Sequence, residues 1–193
     1  MSEHDKQRFE KMLAFHSAPT LLRVKCANLF AVDQNDFRLR ELENLFKSKI
    51  EFSGLKIRFL CKCKSRVLAY VYCEELLKIV LKDTQTSAFL EDCGYNKDMS
   101  VDEMLTVLES RITCGSFPHE IGVFLGYPIE DVLGFIKNNG ENFLFCGFWK
   151  VYSDPDGARM KFDKYVYCRN FLCNKISQGH DIYQALKAYK EDL

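Results

Sequence analysis

The sequence predicts an α+β domain: a small, mostly antiparallel sheet of about four strands packed with about seven helices. Two observations carry that expectation. Segments with the apolar spacing of helices and segments with strand alternation do not follow one another regularly, which sets aside a βαβ series. The strongest strand signals, Leu55 to Cys63 and Val67 to Cys73, adjoin across a turn near Ser65, as in a hairpin. With 193 residues, 47% apolar and 13% aromatic, the chain can bury a substantial core, since domains near this length hide roughly 70% of their unfolded surface. It reads as one domain, 1–193, divisible if at all into lobes 1–95 and 96–193.

Phe9, Met12 and Leu13 place an apolar stripe on an N-terminal helix, and Pro19, which disfavours helical geometry at Ala18, predicts its exit. An extended segment over 21–32 follows, then turn and cap residues at Asp33 to Asp36. Leu39, Leu42, Leu45 and Phe46 recur at helical spacing up to Ser53-Gly54. In the next segment Leu55, Ile57, Phe59, Cys61 and Cys63 alternate with Lys56, Arg58, Leu60, Lys62 and Lys64, predicting one buried and one basic strand face. Val67 to Cys73 is apolar throughout, as for an inner strand covered on both sides. A single helix is predicted from Glu74, with Leu76, Leu77, Val80, Leu81 and Ala88 on one face, closing at Cys93-Gly94. Ser100 and Glu103 form a capping box for a helix carrying Val101, Met104, Leu105, Leu108 and Ile112.

Gly115-Ser116 ends that helix, Pro118 suits the first turn of another, and Gly126-Tyr127-Pro128 precedes one that ends at Asn139-Gly140. Phe143 to Tyr152 is aromatic on both alternating faces and predicts a central strand, closed by Ser153-Asp154-Pro155. Ala158, Phe162, Tyr165, Arg169, Leu172 and Ile176 mark a long helix stopped near Gly179; Ile182, Leu186 and Tyr189 mark a last one. Two helix, Gly-Tyr, helix units around Tyr95 and Tyr127 hint at an internal duplication.

Lys plus Arg equals Asp plus Glu at 27 each, so no overall field draws the chain toward nucleic acid. The start, MSEHDKQRFEKML, lacks the pattern of a signal peptide, and no apolar run approaches the roughly 18 residues of a membrane helix. A cytoplasmic protein without membrane attachment is the expectation. Nine cysteines without a repeating framework then read as free thiols, most of them on apolar faces.

Candidate chemistry gathers between Ser116 and Tyr152. His119 and Glu120 follow Pro118 at a helix start, where free N–H groups can hold an anion and His119 can serve as acid or base. The alternative is that both residues merely suit a helix start. Phe124 occupies the place of a second histidine, so no zincin motif is present. Cys146, Lys150 and Tyr152 share one alternating face with Leu144 and Phe148, opposite Gly147 and Trp149. A lysine among aromatic residues is an anion anchor or nucleophile, or a side chain whose amine snorkels to water.

His16, Ser17, Arg23 and Lys25 offer a second wall for an anion pocket, or an ordinary polar loop. The cysteine spacings match no structural zinc knuckle, so no metal is assigned. EIGVFLGYPIEDVLGF has the outline of a helix-turn-helix, but Glu130 and Asp131 stand where base edges and phosphates would be met. The basic strand face lacks the interleaved aromatics of an RNA platform.

The stretch FPHEIGVFLGYPIEDVLGFIKNNG, then CGFWKVY, Asp154 and Ala158, together with the opening HSAPTLLRVKCANLF, resembles a bacterial family catalogued as domain of unknown function 3793. The resemblance spans nearly the whole chain and implies a bacterial, soluble, single-domain protein; it carries no activity with it. Leu22-Arg23 and Cys26 depart from the family's opening block, where small residues and proline are common. Lys25, Asn28, His119, Glu120, Trp149, Lys150 and Tyr152 stand where the family's motifs place those residue types.

These readings converge on a domain that binds a small anionic ligand, with catalysis left open and no cofactor specified. His119 would be acid or base, Glu120 its orienter, Lys150 the anion anchor and Tyr152 a hydrogen-bond donor, with Lys25, Asn28 and Trp149 as further ligand-binding candidates. The alternative class is an interaction or regulatory module using the 127–139 helix, and helix-turn-helix-like DNA binding ranks third. Oligomeric state has no signature in the sequence.

Overall fold

The unbroken apolar run from Val67 to Cys73 decides the architecture, because both of its faces must be covered. The computed structural model describes residues 2–33, 38–50, 54–63, 66–113 and 116–191. The cap residues expected at 34–36, the turn at Ser65 and the helix break at Gly115 lie outside them. In chain order the elements are α1 (Glu3–Leu21), β1 (Ala27–Asp33), α2 (Leu39–Ile50), β2 (Leu55–Cys63), β3 (Arg66–Cys73), α3 (Glu74–Leu81), α4 (Thr84–Asp92) and α5 (Val101–Arg111). Then come α6 (Ile121–Phe124), α7 (Ile129–Lys137), β4 (Phe145–Cys146), β5 (Lys150–Val151), α8 (Pro155–Ser177) and α9 (Ile182–Glu191). The fold class is α+β, with one three-stranded and one two-stranded antiparallel sheet.

β3 lies between β1 and β2, as its unbroken apolar run requires. Val67, Ala69, Val71 and Cys73 point to a layer built from Phe9 and Leu13 of α1, Leu42 and Phe46 of α2, Leu172 of α8 and Ile182 of α9. Tyr70 and Tyr72 point the other way, with Leu60, toward Leu77 of α3, Leu90 of α4, Leu105 and Leu108 of α5 and Phe124 of α6. Each large side chain so buried stabilises the fold by about 1.5–3 kcal/mol. A third, smaller core joins Trp149 and Val151 to Ala158, Phe162 and Tyr165 of α8.

The capping box is formed: Ser100 Oγ accepts from Glu103 N at 3.3 Å, and Glu103 accepts from Ser100 N at 2.7 Å. Other expectations need correction. Pro19 does not end α1, which runs on to Leu21; the exit comes at Arg23, in the left-handed region at φ 59°. Pro19 donates no N–H to the helix, and its own carbonyl accepts from Val24 N (2.8 Å) and Lys25 N (3.0 Å). The first strand accordingly starts only at Ala27.

The helix expected from Glu74 to Cys93 is two helices. Asp83 leaves helical geometry and caps the second, its carboxylate accepting from Thr86 N at 3.1 Å. The restart changes phase, so Thr86 and Leu90 are buried while Ala88 is exposed. Two basic side chains of β2, Lys56 and Arg58, are paired rather than presented. Lys56 pairs with Glu74 at 2.6 Å, and the Arg58 guanidinium reaches Glu109 (2.9 Å) and Thr106 Oγ1 (3.0 Å) on α5.

Phe143 to Tyr152 is not a central strand. It folds back as the β4–β5 hairpin, pairing Phe145 with Val151 and Cys146 with Lys150. The aromatic character of both faces arises because the hairpin packs its rings on α8: Trp149 meets Phe162 edge-on at 4.5 Å, and Phe148 meets Tyr165 at 5.3 Å. The Gly-Tyr units reflect a helix-ending geometry. Tyr95 N donates to Leu90 O and Tyr127 N to Gly122 O, both at 2.9 Å, but His180 N donates to Lys175 O in the same pattern at 3.2 Å.

Candidate functional site

Three segments meet at Tyr127. The turn between α6 and α7 places Gly126 at φ 70°, in the left-handed region, and an added Cβ there would lie 2.6 Å from Cys26 Sγ. Glycine is therefore required twice over, by conformation and by the close approach of the 22–26 loop. Tyr127 then stacks on Trp149 from the hairpin at 5.1 Å and donates to the Phe148 carbonyl at 3.3 Å. Burial pushes its phenol up to about 12.

On the open side of Tyr127 lies a cleft of about 320 Å³. Its walls are Phe117, Pro118 and His119 before α6, Ile121 and Gly122 in α6, Asp131, Val132 and Phe135 on α7, and Trp149 and Lys150 on the hairpin. The lining is mainly aromatic and aliphatic. Gly122 lets α6 pack closely on α7 behind it, since a Cβ there would come within 2.9 Å of Val132 and 3.3 Å of Tyr127. The His119 ring lies 5.7 Å from the Phe135 ring, and Lys150 Nζ lies 5.8 Å from the same ring. The amine also sits 4.8 Å above Phe143 and donates to the Gly140 carbonyl at 2.7 Å.

Asp131 fixes the hairpin wall. One carboxylate oxygen accepts from Trp149 Nε1 at 2.7 Å; the other accepts from Tyr152 N (2.8 Å), Ser153 N (2.9 Å) and Ser153 Oγ (2.8 Å). It is 3% exposed, so its charge is held by oriented donors rather than by a cation. In the sequence Asp131 stands with Glu130 at the N-terminal end of a would-be recognition helix, where it would face DNA. Its signal was its place between Ile129 and Val132, both buried: a carboxylate on the inward face of a helix needs donors. Phe117 and Phe135 were also missed, having no pattern beyond apolar character.

The cleft brings together three of the sequence candidates, His119, Trp149 and Lys150. The other four are elsewhere. Glu120 is buried on the opposite side of its turn, its carboxylate 2.8 Å from Arg111 and accepting from the Tyr95 hydroxyl at 3.3 Å. It does not orient His119. Asn28, on β1, accepts from Thr20 Oγ1 at 2.7 Å. Tyr152 packs over Gly134, with its hydroxyl buried and without a hydrogen-bond partner among the described residues. Lys25 is 5% exposed behind Tyr127, its amine 5.2 Å from that ring and 5.6 Å from the Tyr165 ring.

The helix-start reading changes as well. His119 and Glu120 precede α6 in a tight turn, where Gly122 N bonds His119 O and Val123 N bonds Glu120 O. A four-residue helix adds little dipole to hold an anion. The proposed second wall is dispersed: Ser17 is fully buried, His16 stacks on Phe30 at 5.1 Å, and Arg23 pairs with Glu75 at 2.8 Å. Among the described residues no three His, Cys, Asp or Glu side chains gather as metal ligands, and no helix is long and apolar enough to cross a membrane.

Comparison with known proteins gives one match. Residues 13–186 match a family described as "Protein of unknown function (DUF3793)", and the chain belongs to that family. No curated protein and no solved structure matches the chain.

Proposed function

We propose that this member of a family of unknown function binds a small molecule with a flat apolar body and one anionic group. The body lies in the cleft against Tyr127, Phe135 and Trp149, and Lys150 meets the anion. The juxtaposition of His119 and Lys150 across one aromatic ring, in an otherwise apolar cleft, carries this reading. An ammonium has three donors, and Lys150 spends one on the Gly140 carbonyl, so two remain for a ligand. A ring-lined site with few polar groups is what small-molecule pockets usually present. His119, exposed at the rim, is the group available for proton exchange with a bound ligand.

The interaction reading draws less support. α7 buries Ile129 and Val132 and leaves Leu133 as its exposed large hydrophobic residue, which is a small footprint for a partner. A bacterial cytoplasm remains the expected setting, in keeping with six free cysteines among the described residues.

Trp149 is the single tryptophan of the chain, so its emission reports the cleft alone. Titration with aromatic carboxylates, sulfonates and phosphates, alongside thermal shift, should find compounds that quench it and raise the melting temperature. Lys150→Met should weaken the anion about tenfold while leaving its neutral amide analogue nearly unchanged. His119→Ala should also weaken binding. Compounds whose effects survive both substitutions, or show no preference for the anion, would remove the proposal.

A further inference from the structure

Among the described residues, Asp131 is the one carboxylate in the wall of the cleft. A carboxylate offers about four acceptor positions, and Trp149 Nε1, Tyr152 N, Ser153 N and Ser153 Oγ fill them at 2.7 to 2.9 Å. No position is left to receive an ammonium. The rings are no substitute, because Phe135 and Phe143 already hold the Lys150 amine, at 5.8 and 4.8 Å from their centres.

The donors of the wall are just as limited. Trp149 Nε1 is committed to Asp131, and the Tyr127 hydroxyl to the Phe148 carbonyl. A ligand therefore meets the two remaining N–H groups of Lys150 and, at the rim, the exposed imidazole of His119, which donates or accepts according to its tautomer. Lys150 suits a carboxylate. His119 suits a neutral oxygen near it, a hydroxyl or a ketone. An ammonium in that place would lose water without gaining a counter-charge, and it would stand beside the charge of Lys150. One imidazole nitrogen accepts only one of its three N–H groups and carries no negative charge.

We propose that the cleft takes aromatic hydroxy and oxo acids and rejects the aromatic amino acids of the same shape. This names the ligand class of the anion-binding cleft and rests on that reading.

The test is titration at pH 7 with phenylpropanoate, phenyllactate and phenylalanine, the last two matched in handedness, read by Trp149 emission and by calorimetry. The three share a ring and a carboxylate and differ at one carbon, which bears hydrogen, hydroxyl or ammonium. Phenyllactate should bind several-fold more tightly than phenylpropanoate through the bond to His119. Phenylalanine should bind at least about tenfold more weakly than either. Lys150→Met should weaken both of the favoured acids alike, whereas His119→Ala should erase the margin between them. Phenylalanine binding as tightly as phenyllactate, or a margin that survives His119→Ala, overturns this inference and leaves the anionic-ligand reading standing. Silence from all three acids also overturns it; silence from the aromatic sulfonates and phosphates as well overturns the reading beneath it.

Discussion

Asp131 and Lys25 meet burial in opposite ways. Four donors surround the carboxylate, from Trp149, Tyr152 and twice from Ser153, so its charge is fully solvated by protein. Asp131→Ala would strand those donors, destabilising the fold by about 2–4 kcal/mol. The Trp149 emission should shift to the red as the indole loses its anchor; an unchanged spectrum and melting temperature would contradict this role. Lys25 has rings instead of an acceptor, and its amine is held down from 10.5 to about 8. The sign follows: between about 8 and 10.5 the unfolded chain binds more protons, so stability from this group rises with pH. Below about 8 the full penalty is present, on the order of 3 kcal/mol. Lys25→Met should therefore be more stable than wild type at pH 7, with the gap narrowing steadily toward pH 10. A gap independent of pH would show that the amine titrates normally. Little of this was legible in sequence. Asp131 read as an acid of a would-be recognition helix and Lys25 as part of a polar loop and of the family motif, because the donors and rings around them come from distant segments.

At the scale of elements, the hairpin and α8 depend on one another. An added Cβ at Gly147 would lie 2.2 Å from the Phe162 ring, so the turn can approach α8 only without a side chain. Gly147→Ala should displace Phe162 or the turn and cost about 1–3 kcal/mol, measurable by denaturant unfolding. A neutral result would mean that the hairpin rides loosely on the helix. The sequence marked this segment as unusually aromatic but assigned it to the wrong partner. Period-two alternation describes a strand and cannot tell whether the rings beside it belong to a sheet or to a helix. Similarly, apolar spacing ran on from α3 into α4, and the capping bond donated by Thr86 N to the Asp83 carboxylate marks the division. Where the capping signal was explicit, at Ser100 and Glu103, the helix start matched expectation.

Across the whole molecule, α8 ties the cores together. Its N-terminal half supplies Phe162 and Tyr165 to the hairpin core, and its C-terminal half supplies Cys168 and Leu172 to the main sheet. Hydrophobic contacts thereby cross residue 95, joining α1 and the sheet to the last two helices. Thermal unfolding followed by Trp149 fluorescence and by far-ultraviolet circular dichroism should therefore give coincident transitions. A fluorescence transition well below the dichroism transition would make the hairpin a separate unit. Charge is also settled at this scale. Arg58 and Lys56, basic in sequence, are paired with Glu109 on α5 and with Glu74.

The sequence by itself determined the α+β class, the inner strand from Val67 to Cys73, the box at Ser100 and the stretch in which His119, Trp149 and Lys150 reside. Periodicity and capping are written within a few residues of one another, so they survive in one dimension. Only the tertiary structure decided that Glu120 belongs to Arg111 and Tyr95, that Phe143 to Tyr152 turns back upon α8, and that Lys25 is enclosed by Tyr127 and Tyr165. Those outcomes depend on which side chains, far apart along the chain, compete for the same buried space.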